Sequence, residues 1–165
     1  MKYNKHIPQV KNIGLQNNFH YQNKLGLDKA YASDNKLYVD NDILYVAGTS
    51  NLQDVWDDVK IPFGLTRFSQ RYKDASKVLK DNPQITKVTG HSLGSAVSDE
   101  LAKRNKDRGL KTTLYGSPFF QIDGSKSENR WRHPNDLISM FDSGAITTGP
   151  PSMNLLKQHS YANYD

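Results

Sequence analysis

The chain has no cysteine, which excludes disulfides, thiolate metal ligands and a thiol nucleophile. It also lacks any run of about 18 apolar residues, the length a helix needs to cross a bilayer. Met1 to Val10 has no apolar core of the kind a signal peptide carries, so the sequence predicts a soluble protein. Charge of one sign is scarce too: 22 Lys and Arg against 17 Asp and Glu leave +5. The cations are scattered, at Lys2, Lys5 and Lys11, then from Lys60 to Lys80, then from Lys103 to Arg108. Despite nine tyrosines, there is no dense basic block and no stacking motif, so no nucleic-acid partner is expected. Hydrophobic content of 36% is low, yet the periodic stretches described next exclude a disordered chain. At 165 residues, with no internal repeat and no linker, the chain is one domain with room for a core.

Residues 1–30, rich in Asn, Gln, Lys and Tyr with poor periodicity, are expected to form an irregular N-terminal arm ahead of a 31–165 domain. Asp28 to Ser33 suggests a short helical turn. Lys36-Leu37-Tyr38-Val39 and Ile43-Leu44-Tyr45-Val46 flank the turn-forming Asp40-Asn41-Asp42, which predicts a hairpin. Asn51 to Asp58 is a candidate short helix. Leu65, Phe68, Tyr72, Ala75 and Leu79 step by three and four, so Thr66 to about Lys80 is predicted as an amphipathic helix, stopped by Asn82-Pro83. Ile85 to Val88 is a β-branched strand, and Leu93, Val97 and Leu101 mark a helix running to about Arg104. Thr112 to Tyr115 and Leu137 to Phe141 are further strands. Asp123 to Asn129 and most of the tail from Asp142 are expected as loop. This alternation predicts an α/β fold: a mostly parallel sheet flanked by helices, in the order of a small α/β-hydrolase. In such sheets working groups gather at the carboxyl ends of strands, where Thr49, Ser92, Ser117 and the region of Phe141 would lie.

Between strand and helix stands Gly90-His91-Ser92-Leu93-Gly94, a Gly-x-Ser-x-Gly pattern in the strand-turn-helix context of a nucleophile elbow. A serine at the tip of so tight a turn takes a strained backbone, and its neighbours two residues away must lack bulk. In return its Oγ sits at a helix N-terminus, where the dipole and the N–H of Leu93 can stabilise an oxyanion. A serine hydroxyl also needs a base, and the base needs an acid to fix its tautomer, in the order Ser, acid, His. Downstream of Ser92 the histidines are His133 and His159. His159 is the better base, with Asp136 or Asp142 as the acid. His91 adjoins the nucleophile but should point away from its Oγ, and His6 and His20 fall in the arm.

Four ordered stretches then resemble the class 3 (fungal-type) lipase family of α/β-hydrolases. Ala47-Gly48-Thr49-Ser50 with Asp54 to Asp58 is similar to its Arg-Gly-Thr segment and following Asp-Trp. Val88 to Ala96 is similar to its Gly-His-Ser-Leu-Gly elbow, Leu114 to Pro118 to a strand end, and Arg132 to Ile138 to the segment holding the triad acid. The resemblance covers about residues 36 to 161. It implies Ser92 as nucleophile, Asp136 rather than Asp142 as acid and His159 as base, with Thr49 and Leu93 forming the oxyanion hole. His133 becomes structural.

Ala47 replaces an Arg of the pattern and Ser95 a Gly, and little room remains between Thr49 and the Thr66 helix for a long lid. The implied activity is a serine carboxylic-ester hydrolase acting on a lipid or another ester, with transient membrane-surface contact and no cofactor or metal. Phe119, Phe120, Phe141, Ile146 and Leu155 are candidates for an acyl pocket or for ordinary core. The rival expectation is a non-catalytic hydrolase-fold binding or structural module. The cysteine-free composition rich in Asn and Lys also resembles small lipase-like proteins encoded by viruses, which would make a membrane the target.

Overall fold

The computed structural model describes residues 9–49, 63–117, 129–132 and 146–147. Its elements in chain order are α1 (Gln9–Ala32), β1 (Leu37–Asp40), β2 (Ile43–Val46), α2 (Phe63–Asp81), β3 (Lys87–His91), α3 (Leu93–Arg104), β4 (Lys111–Tyr115), β5 (Asn129–Arg132) and β6 (Ile146–Thr147), with a 3₁₀ turn at Lys106–Arg108. The strands make one six-stranded sheet in sequential order. β1 and β2 form the expected antiparallel hairpin, with Asp40 opposite Ile43 and Asn41 at φ 52° in the turn. Every later pairing is parallel. The fold is α/β, with helices on both faces.

Alternation along β2 divides the core. Leu44 and Val46 face one side, where they pack with Ala75 and Leu79 of α2, Val88 of β3, and Val97 and Leu101 of α3. Tyr45 and Ala47 face the other, with Leu27 and Ala30 of α1, Tyr115 of β4 and Trp131 of β5. The second strand's start is pinned by Asp42. Its carbonyl accepts the N–H groups of Thr86 (2.9 Å) and Lys87 (3.0 Å), and its carboxylate accepts the Thr86 hydroxyl (2.8 Å) and pairs with Lys87 Nζ (3.2 Å). The Thr86 hydroxyl, and then Lys87, hold the Asp42 carboxyl below the usual carboxylate range. That contribution is full above the ordinary Asp pKa and fades as pH falls through the lower folded value. Asp42→Asn should therefore flatten the acid limb of a stability-against-pH curve measured by urea unfolding. The effect is small, because the pair is exposed.

The first segment overturns the expectation of an irregular arm: most of it is α1, which runs past residue 30 to Ala32 and lies along the sheet. The inward positions His20, Asn23, Leu27, Ala30 and Tyr31 keep helical spacing, but the first two are polar, so the apolar stripe is too short to see. His20 Nδ1 lies 2.9 Å from the Tyr115 hydroxyl, Asn23 Nδ2 donates to the same oxygen at 3.0 Å, and the His20 ring meets Trp131 edge-on at 4.5 Å. Burial pushes the Tyr115 phenol up, so it stays neutral and available to this network.

At Gly26 a Cβ would fall 2.2 Å from the ring of Tyr45, which sets how closely α1 approaches. Gly26→Ala should therefore destabilise by about 1 to 2 kcal/mol in urea unfolding. In an open helix the same change would stabilise by about 1 kcal/mol.

β5 begins at Asn129, the last residue of the expected 123–129 loop, and β6 lies inside the expected tail loop. The helix expected at Asn51 to Asp58 and the strand expected at Leu137 to Phe141 lie outside the described residues.

Candidate functional site

The site is built where β3 leaves the sheet. Ser92 has φ 55° and ψ −125°, a conformation far from both the sheet and helix wells and also from the left-handed helical one. Two glycines permit it. A Cβ on Gly90 would come within 2.3 Å of Gly94 O and 2.6 Å of Ser98 Oγ, and one on Gly94 within 2.0 Å of Val46 O. Strand, turn and helix thus touch backbone to backbone at positions where only glycine fits. Hydrogen bonds then hold the bend: the Ser92 N–H donates to Tyr115 O (2.9 Å) and the Ser95 N–H to Ser92 O (2.8 Å). The Ser95 hydroxyl also donates to Tyr115 O at 2.8 Å, a bond a glycine at that position would lack.

Ser92 is 2% exposed and does not spend its hydroxyl on capping α3. Leu93 begins α3, and first-turn N–H groups have no partner within their own helix. The amide expected to face an oxyanion is therefore positioned beside the serine.

The end of β2 comes up against the same point. A Cβ on Gly48 would meet Ser92 Cβ and His91 O, each at 2.9 Å, so the Gly48-Thr49 backbone lies directly against the nucleophile turn. Among the described residues, the buried Thr49 Oγ1 has no hydrogen-bond partner, and neither has Ser117 Oγ just past β4. Two orphaned hydroxyls thus stand at the carboxyl ends of the strands on either side of β3. A buried hydroxyl left without a bond costs about 1 to 3 kcal/mol, so each is open to a partner from a ligand or from outside the described residues.

His91 is the last residue of β3. It is buried, and its Nδ1 lies 2.7 Å from the Tyr31 hydroxyl of α1. His20 serves α1 packing.

The structure thus sets Leu93 beside Ser92 at the start of α3 and brings Gly48, the neighbour of Thr49, against the same turn. Asp136, Asp142, His133 and His159 lie outside the described residues, as do Phe119, Phe120, Phe141 and Leu155; Ile146 opens β6. Among the described residues no group of His, Asp and Glu is arranged to hold a metal ion, and no helix is long and apolar enough to cross a membrane.

Two residues at this site carry no signal of their own in the sequence. Tyr31 and Arg71 reach the Ala47-Gly48 backbone from α1 and α2. The only available hint was their position next to the inward stripes at Ala30 and Tyr72. Comparison with protein-family models, curated proteins and solved structures found no match to this chain, so the nature of the site rests on its own geometry.

Proposed function

We propose that the chain is a serine ester hydrolase of α/β-hydrolase type, cleaving carboxylic esters of lipids or related molecules. The observation that carries the reading is the Ser92 backbone, φ 55° and ψ −125°, held between close-packed glycines at a strand-to-helix turn. Such strain is costly and persists where a function needs the side chain presented at that angle. In the mechanism, Ser92 Oγ attacks the ester carbonyl as His159 takes its proton, with Asp136 fixing the imidazole tautomer. The Thr49 and Leu93 N–H groups receive the developing oxyanion, each worth about 3 kcal/mol of barrier. The alcohol leaves with the proton held by His159, and water then releases the acid from acyl-Ser92 by the same steps reversed. The resemblance to class 3 lipases supports a lipid ester, and the short span between Thr49 and α2 supports a site without a long lid.

The test is hydrolysis of short- and long-chain p-nitrophenyl esters, beside labelling by a fluorophosphonate with the modified residue located by mass spectrometry. Turnover with the label on Ser92 is the expected result. A folded protein that neither turns over ester nor takes the label would instead be a binding module on a hydrolase-like frame.

A further inference from the structure

We propose that Arg71 and Tyr31 are positioning residues that aim the Thr49 N–H at the reacting centre, an inference that rests on the Ser92 reading above. A trans peptide is planar and its C=O and N–H point in opposite directions, so fixing one end aims the other. Arg71 Nη1 donates to Ala47 O and lies 3.4 Å from Gly48 O. The second contact sets the plane of the Gly48-Thr49 peptide, whose other end is the Thr49 N–H. The preceding peptide is held at both ends, because the Gly48 N–H donates to the Tyr31 hydroxyl at 3.1 Å.

The two clamps come from opposite faces of the sheet. α2 packs with Leu44 and Val46, and α1 with Tyr45 and Ala47. Tyr31 also ties the clamp to the nucleophile turn, since its hydroxyl meets His91 Nδ1 at 2.7 Å. One hydroxyl therefore bridges the β2 end and the residue before Ser92, and a guanidinium locks the far side.

Stability alone does not account for this arginine. Burial lowers its pKa, and among the described residues it has no carboxylate in ion-pair contact; Asp74 acts on it only through space. A half-buried cation is being spent on two backbone carbonyls. Without it the Gly48 carbonyl could rotate, and the Thr49 N–H would rotate with it.

The experiment uses the full chain as Arg71→Met, Arg71→Lys and Tyr31→Phe. Arg71→Met should lower kcat on p-nitrophenyl esters about 100-fold with KM little changed, the scale expected for a misaimed group. Added guanidinium ion should restore part of the loss. Tyr31→Phe, which removes one oxygen, should lower kcat about 10-fold and speed hydrogen exchange at the Gly48 and Thr49 amides. Arg71→Lys keeps the charge but not the fork, so its kcat should fall between those of Arg71→Met and the wild type.

Variants with wild-type kcat, beside a labelled and active wild type, would overturn the clamp and leave Ser92 standing. Losses that merely follow a fall in Tm, without guanidinium rescue or faster exchange, would overturn it as well. If Arg71→Met does not fold, Arg71→Lys and Tyr31→Phe decide. A wild type that neither cleaves ester nor takes the fluorophosphonate overturns both readings.

Discussion

Ser92→Gly should lose ester turnover by at least about 10⁴-fold and yet melt at a higher temperature than Ser92→Ala. Both variants remove the hydroxyl, so both should be inert toward the p-nitrophenyl esters and the fluorophosphonate. They differ in the backbone. At φ 55° and ψ −125°, alanine keeps the strain of the wild-type serine and glycine does not. Such strain costs about 1 to 3 kcal/mol. Glycine gives back about 0.5 to 1 kcal/mol through its freer unfolded chain. The glycine variant should therefore be the more stable by about 1 kcal/mol, the reverse of the usual order. For a domain of this size that is about 2 to 4 °C in Tm. Paired thermal melts settle it: an alanine variant equal to or above the glycine one would mean the turn stores no strain.

Gly94→Ala should be the most destabilising single methyl the chain can receive at this turn. Alanine is the better helix former by about 1 kcal/mol, and Gly94 lies in the first turn of α3. Here the new Cβ would sit 2.0 Å from Val46 O and 2.7 Å from Val46 C, and both are backbone of β2. No rotamer change can move those atoms, so α3 would have to lift off the sheet. A net loss of about 3 kcal/mol or more is expected in urea unfolding. Gly109→Ala is the control: its φ is 58° but nothing lies within 4 Å of the added Cβ, so it should cost only about 1 kcal/mol. If the two variants unfold at the same urea concentration, close packing at the turn is not what fixes Gly94.

These contrasts indicate which parts of the structure were legible in the sequence. The hairpin, α2, β3, α3 and β4 announce themselves because their buried positions are apolar at the right period, as in Leu44 and Val46 or Ala75 and Leu79. α1 has the period but fills two inward positions with His20 and Asn23, whose partner Tyr115 is far away in sequence. β5, Asn-Arg-Trp-Arg, has one buried aromatic among polar residues, and β6 is two residues long. Pairing with neighbouring strands makes both of them strands, not propensity. At the site, local chemistry was legible: a serine between glycines, followed by a helix. Arg71 and Tyr31 were not, because their role comes from two helices converging on one peptide.

The contacts that seat α1 also constrain the order in which the chain can assemble. His20 and Tyr115 are 95 positions apart, Asn23 and Tyr115 are 92, and Tyr31 and His91 are 60. Closing spans of that length is entropically slow, and the bonds do not exist until β3 and β4 are in place. The bond from the Gly48 amide to the Tyr31 hydroxyl, by contrast, spans only 17 positions and needs the hairpin alone. The two ends of α1 therefore differ: its C-terminal end can settle on β1 and β2 early, whereas the His20 and Asn23 end has no partner until β4 arrives.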